Sequence, residues 1–356
     1  MDVPITIDLI SDTSTRPSAG MWEAMARAEV GDEQRGEDPS VNRLCEHVAE
    51  MLGTEAAVFL PSGIMSNLIA ILVHCRPGDE VLSAANAHII SSEGAGAAAI
   101  AGVLNTTIDT PDGRFSIGDV EARIRPRGLR VPRTRLIAIE QTSNKGGGTI
   151  WPLSEIAGIA RIAADADVAM HMDGARLLNA AVESGVEAGL FAQHFDSLWI
   201  DLSKGLGCPV GSVLAGSRAF IDEAWVWKHR LGGAMRQSGV LAAAGLYALE
   251  HHVKRLADDH ANARRLAAGL GEIDGLRLVG ERVETNIVFM DCMGTGLTVP
   301  QIVARLSQFG VRVGGVSDKV FRAVTHHDVS SRDIETTINA FGAVLTGSNH
   351  AKGAAP

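Results

Sequence analysis

The sequence predicts an α/β protein, with a large domain on a mostly parallel sheet and a smaller C-terminal α+β domain. Three observations carry this. Short apolar runs alternate with amphipathic stretches through residue 231, several runs close on small or polar residues, and the texture changes to short strand-like runs after Gly271. Strands that alternate with helices form parallel sheets covered on both faces. The expected boundaries are 1–250 for the large domain, N-terminal segment included, and 251–346 for the small one. Residues 347–356 read as a disordered tail.

Taken in order, SVNRLCEHVAEMLG (40–53) has helical periodicity. AAVFLPSG (56–63) reads as a strand and a glycine turn, with a helix from near Met65. DEVLSA (79–84) is a second strand. Asp119 is a candidate cap for VEARI. LIAIEQT (136–142) is a third strand running into the glycines at 146–148, and PLSEIAGIARIAADA (152–166) a helix with Ser154 near its start. DVAMHMDGAR (167–176) is a strand ending at Asp173. SLWIDLSKG (197–205) and GSVLAGS (211–217) are two more, and FIDEAWVWKHRL (220–231) is helical. Residues 237–270 form one long helical region. Beyond it LRLVG, NIVFMDC, VRVGG and FRAVTH read as strands around the helix VPQIVARLSQFG.

Composition narrows the classes. The chain has 356 residues and a net charge of −10, and it lacks a Lys/Arg run, which argues against a nucleic-acid partner. No apolar stretch is long enough to span a membrane. The N-terminus, with Asp2 and Asp8, does not read as a signal peptide. Cys45, Cys75, Cys208 and Cys292 are scattered and fit free thiols in a cytoplasmic protein. Adjacent histidines (His251–His252, His326–His327) and the lack of an HExxH pattern give no reason to expect a metal.

Ligands of open α/β sheets bind beyond the carboxyl ends of the strands. Three strand ends carry reactive side chains: His88 after VLSAANA, Asp173 after VAMHM and Lys204 after LWIDLS. Only six of the 32 basic residues are lysines, which draws attention to Lys204. A lysine and a carboxylate at neighbouring strand ends suit Schiff-base chemistry, the carboxylate keeping a pyridinium nitrogen protonated. A structural Asp–Lys ion pair is the other reading of the same spacing. SGIMSN (62–67) opens a helix whose N–H groups could bind phosphate, although strand–Gly–helix turns are common. GLGCPVGS (205–212) holds backbone near a cofactor or simply connects two strands. His88 in NAHIISSEGAG is a candidate acid or base, or a histidine that packs a loop.

Nine segments carry a family resemblance: DLISDTSTRP (8–17), GEDPSVNRL (36–44), FLPSGIMSN (59–67), AHIISSEGAG (87–96), GGGTIWPL (146–153), HMDGARLLNAA (171–181), LSKGLGCPVGSVLAGS (202–217), LGGAMRQSGVLAAAGLYAL (231–249) and FRAVTHHDVS (321–330). In these the chain resembles the L-threonine aldolases, fold-type I pyridoxal-phosphate enzymes of the β-eliminating lyase group. The resemblance implies a pyridoxal 5′-phosphate cofactor and the following roles. Lys204 forms the Schiff base, Asp173 pairs with the ring nitrogen, and His88 stacks on the ring beside the substrate β-hydroxyl. Gly63, Ile64 and Ser203 contribute to the phosphate cradle, and Arg236 reaches that phosphate from a neighbouring subunit. Ser11, Arg176 and Arg322 bind the substrate α-carboxylate, which suits the planar guanidinium fork. The implied assembly is a homo-oligomer, a dimer or dimer of dimers, with sites at the interface.

Three departures bear on substrate choice. SGIM stands where the family reads SGTM, so Ile64 offers a backbone donor without a hydroxyl. EQTSN (140–144) stands for ENTHN, putting Ser143 where a histidine often lies beside the substrate. Arg35 replaces a tyrosine before GEDP. The expected reaction is retro-aldol cleavage of a β-hydroxy-α-amino acid of the L-threonine or L-allo-threonine type to glycine and an aldehyde. Aldol chemistry on aryl serines such as phenylserine, or another β-lyase reaction, is the alternative.

Overall fold

A computed structural model describes residues 3–126 and 128–346; the tail read at 347–356 lies outside the described residues. Twelve strands follow one another among them: β1 (Ile7–Leu9), β2 (Ala56–Leu60), β3 (Glu80–Ala84), β4 (Leu104–Ile108), β5 (Thr134–Glu140), β6 (Ala169–Gly174), β7 (Ser197–Asp201), β8 (Ser212–Gly216), β9 (Arg277–Leu278), β10 (Ile287–Asp291), β11 (Val311–Gly315) and β12 (Val320–Val324). They belong to two compact units, residues 16–254 and residues 3–15 with 255–346.

In the large unit seven strands run in the order β2-β8-β7-β6-β5-β3-β4. Only β8 is antiparallel to its neighbours; β7, β6, β5, β3 and β4 are parallel. Every residue of β3 and β8 is buried, as strands covered on both faces require. The edge strand β4, LNTTI, exposes most of its residues, and its weak apolar signal hides it from the sequence. Helix Pro39–Leu52 begins with proline after Asp38, whose carboxylate accepts from the Ser40 and Val41 N–H groups (both 3.1 Å). The helix after β2 spans Gly63–His74 and starts two residues before Met65. Ser116, not Asp119, caps the short helix Ile117–Glu121; Asp119 is the returning half of that capping box. The long helical region holds two helices, Gly239–His251 and Leu256–Gly271. They part at His252, whose buried Nδ1 donates to the Leu206 carbonyl (2.7 Å).

The small unit has a five-stranded sheet, β1-β11-β12-β10-β9. Its antiparallel part is the sheet read from sequence, but residues 7–9 join it, whereas the sequence assigned the N-terminal segment to the large domain. β1 pairs in parallel with β11, Ile7 opposite Val311 and Leu9 opposite Val313. Ile7 and Leu9 enter the core formed with Leu266, Ile302, Phe321 and Phe341, and Asp8 between them accepts from Arg312 Nε (3.0 Å). The alternation of two buried residues about an ion pair fixes the strand. Among the described residues no helix is long and apolar enough to cross a membrane.

Candidate active site

Parallel pairing brings three predicted residues of the large unit to one edge of its sheet. Glu140, the last residue of β5, lies in register with Asp173 near the end of β6, and Asp173 in register with Trp199 of β7. His88 follows β3, and Lys204 follows β7 by three residues. Asp173 is 4% exposed. Its Oδ1 accepts from the Ala175 N–H (3.1 Å), its Oδ2 from Asn67 Nδ2 (2.8 Å).

His88 is fixed at two points. Its backbone N–H donates to Glu140 Oε2 (2.8 Å), and its Nδ1 meets Glu93 Oε1 (2.8 Å). The bond to Glu93 raises the imidazole pKa above the ordinary histidine value. Burial raises the Glu93 carboxyl in turn. Glu140 is pushed up to about 7 by burial, then by the charge of Asp173, despite N–H donors at His88 and Asn144. His88, Glu93 and Asp173 hold candidate ligand atoms within 4.8 Å of one another, so the described residues include one metal-like cluster, and it consists of these same strand-end residues and Glu93.

Lys204 Nζ lies 2.9 Å from Asp201 Oδ2 and 5.7 Å from the centre of the Trp199 ring; its side chain is 17% exposed. The partner of the lysine is therefore Asp201, not Asp173. Asp201 Oδ1 also accepts from the Ser203 N–H (2.7 Å) and hydroxyl (2.8 Å). Gly63 rests on the Trp199 indole: a Cβ there would lie 2.2 Å from the ring. That contact sets the start of the twelve-residue helix, whose Ser62 caps the Met65 N–H (3.3 Å). The N–H groups of Gly63 and Ile64 are among those without a partner inside the helix, and Ile64 is 46% exposed.

Arg176 is buried beside β6, its N–H donating to the Gln141 carbonyl (3.0 Å). Ser143 is buried; its hydroxyl accepts from the Gly146 N–H (3.2 Å) and fills the space beside Gly113. Arg236 is 62% exposed and donates to Asp32 Oδ2 (2.8 Å). Arg35 ends a short helical turn, 3.7 Å from Asp32. Ser11 and Arg322 belong to the small unit, where they come close together: Arg322 Nη2 donates to the Ile10 carbonyl (3.1 Å), and the Ser11 hydroxyl caps the Thr13 N–H (3.2 Å).

Sequence reasoning missed Asn67, Glu93, Glu140, Asp201 and Trp199. Glu140 left a signal, an acid closing an apolar strand as Asp173 does. Asn67 left none, because its partners are 26, 104, 106 and 132 residues away.

These groups suit a phosphorylated pyridine aldehyde. An enclosed carboxylate can face a ring nitrogen, a partly exposed lysine can condense with an aldehyde, and a helix start kept clear by glycine can take a phosphate. Fold and site together define a fold-type I pyridoxal-phosphate enzyme. The comparisons agree: the profile of the beta-eliminating lyase family matches residues 8–293, and the chain belongs to that family. It is 42% identical over 341 residues to low-specificity L-threonine aldolase 1 of Arabidopsis thaliana, covering 94% of this chain and 95% of that protein. It is 40% identical over 332 residues to the low-specificity L-threonine aldolase of Escherichia coli K12, covering 92% and 96%. Its fold is that of a threonine aldolase of Leishmania major, with a TM-score of 0.82 at 21% identity over 95% of this chain and 99% of that one. A putative L-allo-threonine aldolase of Listeria monocytogenes superposes with a TM-score of 0.80 at 21% identity, covering 97% of each chain.

Proposed function

We propose that the chain cleaves L-threonine-type β-hydroxy-α-amino acids reversibly to glycine and an aldehyde. The observation that carries this reading is the strand-end set of Asp173, His88 and Lys204, with His88 locked to Glu93. The relatives named low-specificity L-threonine aldolase support it.

Bound pyridoxal phosphate supplies the electron sink for the pair released when Cα–Cβ breaks. Lys204 would hold the cofactor through Nζ, and Asp201 would pair with the lysine ammonium whenever Nζ is free of it. Asp173 keeps a proton at the ring nitrogen. With Nδ1 tied to Glu93, His88 takes the β-hydroxyl proton at Nε2, directly or through water. The phosphate is assigned to Gly63, Ile64 and Ser203, the Ser203 hydroxyl turning from Asp201 to serve it, and to Arg236 of a second copy in a homo-oligomer. Arg176, Ser11 and Arg322 are proposed for the α-carboxylate, and Ser143 for the β-hydroxyl. Four free cysteines accord with a cytoplasmic enzyme.

A panel of L-threonine, L-allo-threonine and phenylserine, read by glycine and aldehyde release, tests the reading. Equal amounts of both products are expected, whereas ammonia with a keto acid would mark elimination. Turnover of phenylserine is favoured by the small Ser143 where a histidine is usual, and its rejection would remove that extension.

A further inference from the structure

A hydrogen-bonded chain leads away from Asp173 and Glu93 through residues to which the reaction assigns no role. Asn67 Nδ2 donates to Asp173 Oδ2 (2.8 Å) and to Glu93 Oε1 (2.7 Å). Its Oδ1 faces Trp199 Nε1 (2.7 Å) and His171 Nε2 (3.1 Å). An indole nitrogen only donates and an ionised carboxylate only accepts, so the amide has one satisfactory orientation. Flipped, its NH2 would meet the indole N–H and its oxygen would meet two carboxylates.

The remaining protons follow. Asn67 Oδ1 only accepts, so His171 carries its hydrogen on Nε2. His171 Nδ1 is then an acceptor, filled by the Ser197 hydroxyl (2.8 Å), which accepts in turn from His74 Nε2 (2.8 Å). Each hydrogen in the chain points toward Asp173 and Glu93. Both rings are held neutral by burial, His171 brought down to about 3 and His74 to about 4. Asn67, His171 and Ser197 are buried, so water cannot replace them readily.

We infer that Asn67, oriented jointly by Trp199 and His171, is a positioning residue that bridges the Asp173 and Glu93 carboxylates through its amide nitrogen and thereby sets the affinity of the site for a protonated pyridine. Two carboxylates this close otherwise compete for a proton. The inference rests on the assignment of Asp173 proposed above.

The test uses the full chain stripped of cofactor and titrated with pyridoxal phosphate, with Tm measured beside the dissociation constant. Asn67→Leu is expected to raise that constant at least about tenfold, the scale of a hydrogen bond to a charged acceptor. It should also move the pH midpoint of the bound cofactor's visible band, while KM for the amino acid changes less than about threefold. Trp199→Phe and His171→Phe should each act weakly, since one donor still orients the amide. Together they should exceed the product of the single effects. A constant within twofold of the parent for Asn67→Leu, or a double variant that only multiplies the singles, overturns the inference. Nitrogen-15 spectra of histidine in the parent protein need no variant: His171 should stay the neutral Nε2–H form from pH 6 to 9, and an Nδ1–H or charged ring contradicts it. Asp173→Ala separates the two levels. If it leaves cofactor affinity intact, the reading of Asp173 fails; if it abolishes affinity and Asn67→Leu does not, only the positioning role fails.

Discussion

Two lysines of the large unit sit at nearly the same distance from a carboxylate and differ in their access to solvent. Lys204 lies 2.9 Å from Asp201 at a strand end, with 17% of its side chain exposed. Lys228 lies 2.8 Å from Glu33 with neither side chain exposed at all, its ammonium over the Trp225 ring (4.2 Å). Glu33 is saturated from other sides as well, by the Met235 N–H (2.5 Å) and the Ser238 hydroxyl (2.6 Å). The enclosed pair ties the 233–238 segment to the turn at 32–35. A lysine in apolar surroundings is thus no mark of chemistry by itself. Access, and a partner that can let go, distinguish Lys204.

The largest effect should come from Lys204→Ala, which abolishes turnover and the protonated-aldimine absorbance while leaving Tm near the parent value; retained turnover would break the contrast. Lys228→Met should do the reverse. Removing one partner of a buried pair leaves Glu33 an uncompensated charge and costs ~3–5 kcal/mol of stability, whereas the folded fraction keeps its cofactor affinity. Denaturant unfolding alongside cofactor titration checks this.

Much of that contrast was legible in the sequence, and part was not. The parallel strands and their reactive ends follow from apolar runs that close on Asp173 and on the segment before Lys204, because a strand buried on both faces writes its whole length in apolar residues. β1 was invisible: three residues, IDL, cannot be told from a loop until Val311–Val313 stands beside them. Asn67 looked like any helix residue because its meaning lies in partners supplied by other strands. Lys228 and Glu33 are similarly distant in sequence, so no local pattern reveals that they enclose each other.

Substituting Arg322 sharpens the contrast from the arginine side. Arg322→Lys preserves charge but loses the planar fork, and kcat/KM should fall about ten- to hundredfold, as for one charged hydrogen bond. Efficiency within twofold of the parent would place the α-carboxylate elsewhere.

Glu140 extends the comparison to an enclosed carboxyl. With its pKa raised from 4.5 to about 7, the native state binds more protons than the unfolded chain between those values. Stability contributed there is full below about pH 4.5 and is lost as pH rises through about 7. Glu140→Gln should flatten the fall in unfolding free energy between pH 5 and 8. Some slope should persist, because the raised His88 pKa acts in the same direction. An unchanged slope would mean Glu140 ionises normally.

The smallest effect is expected at Ser143. Ser143→His must turn its ring away from Gly113 and Gly146, whose backbone already borders the serine hydroxyl. A ring directed toward the β-hydroxyl should change the ratio of kcat/KM for the two threonine diastereomers by about tenfold, roughly 1–2 kcal/mol. Steady-state kinetics on both diastereomers would show it, and an unchanged ratio removes Ser143 from the substrate's surroundings.

The central claim is that Lys204, alone among the lysines, carries the cofactor. Borohydride reduction of the loaded protein fixes pyridoxal phosphate to the lysine it occupies, and peptide mapping then locates it. The account predicts one modified peptide, bearing Lys204 in the sequence LSKGLG. A modification found on Lys228 or any other lysine, or its persistence at full yield in the Lys204→Ala protein, would contradict it.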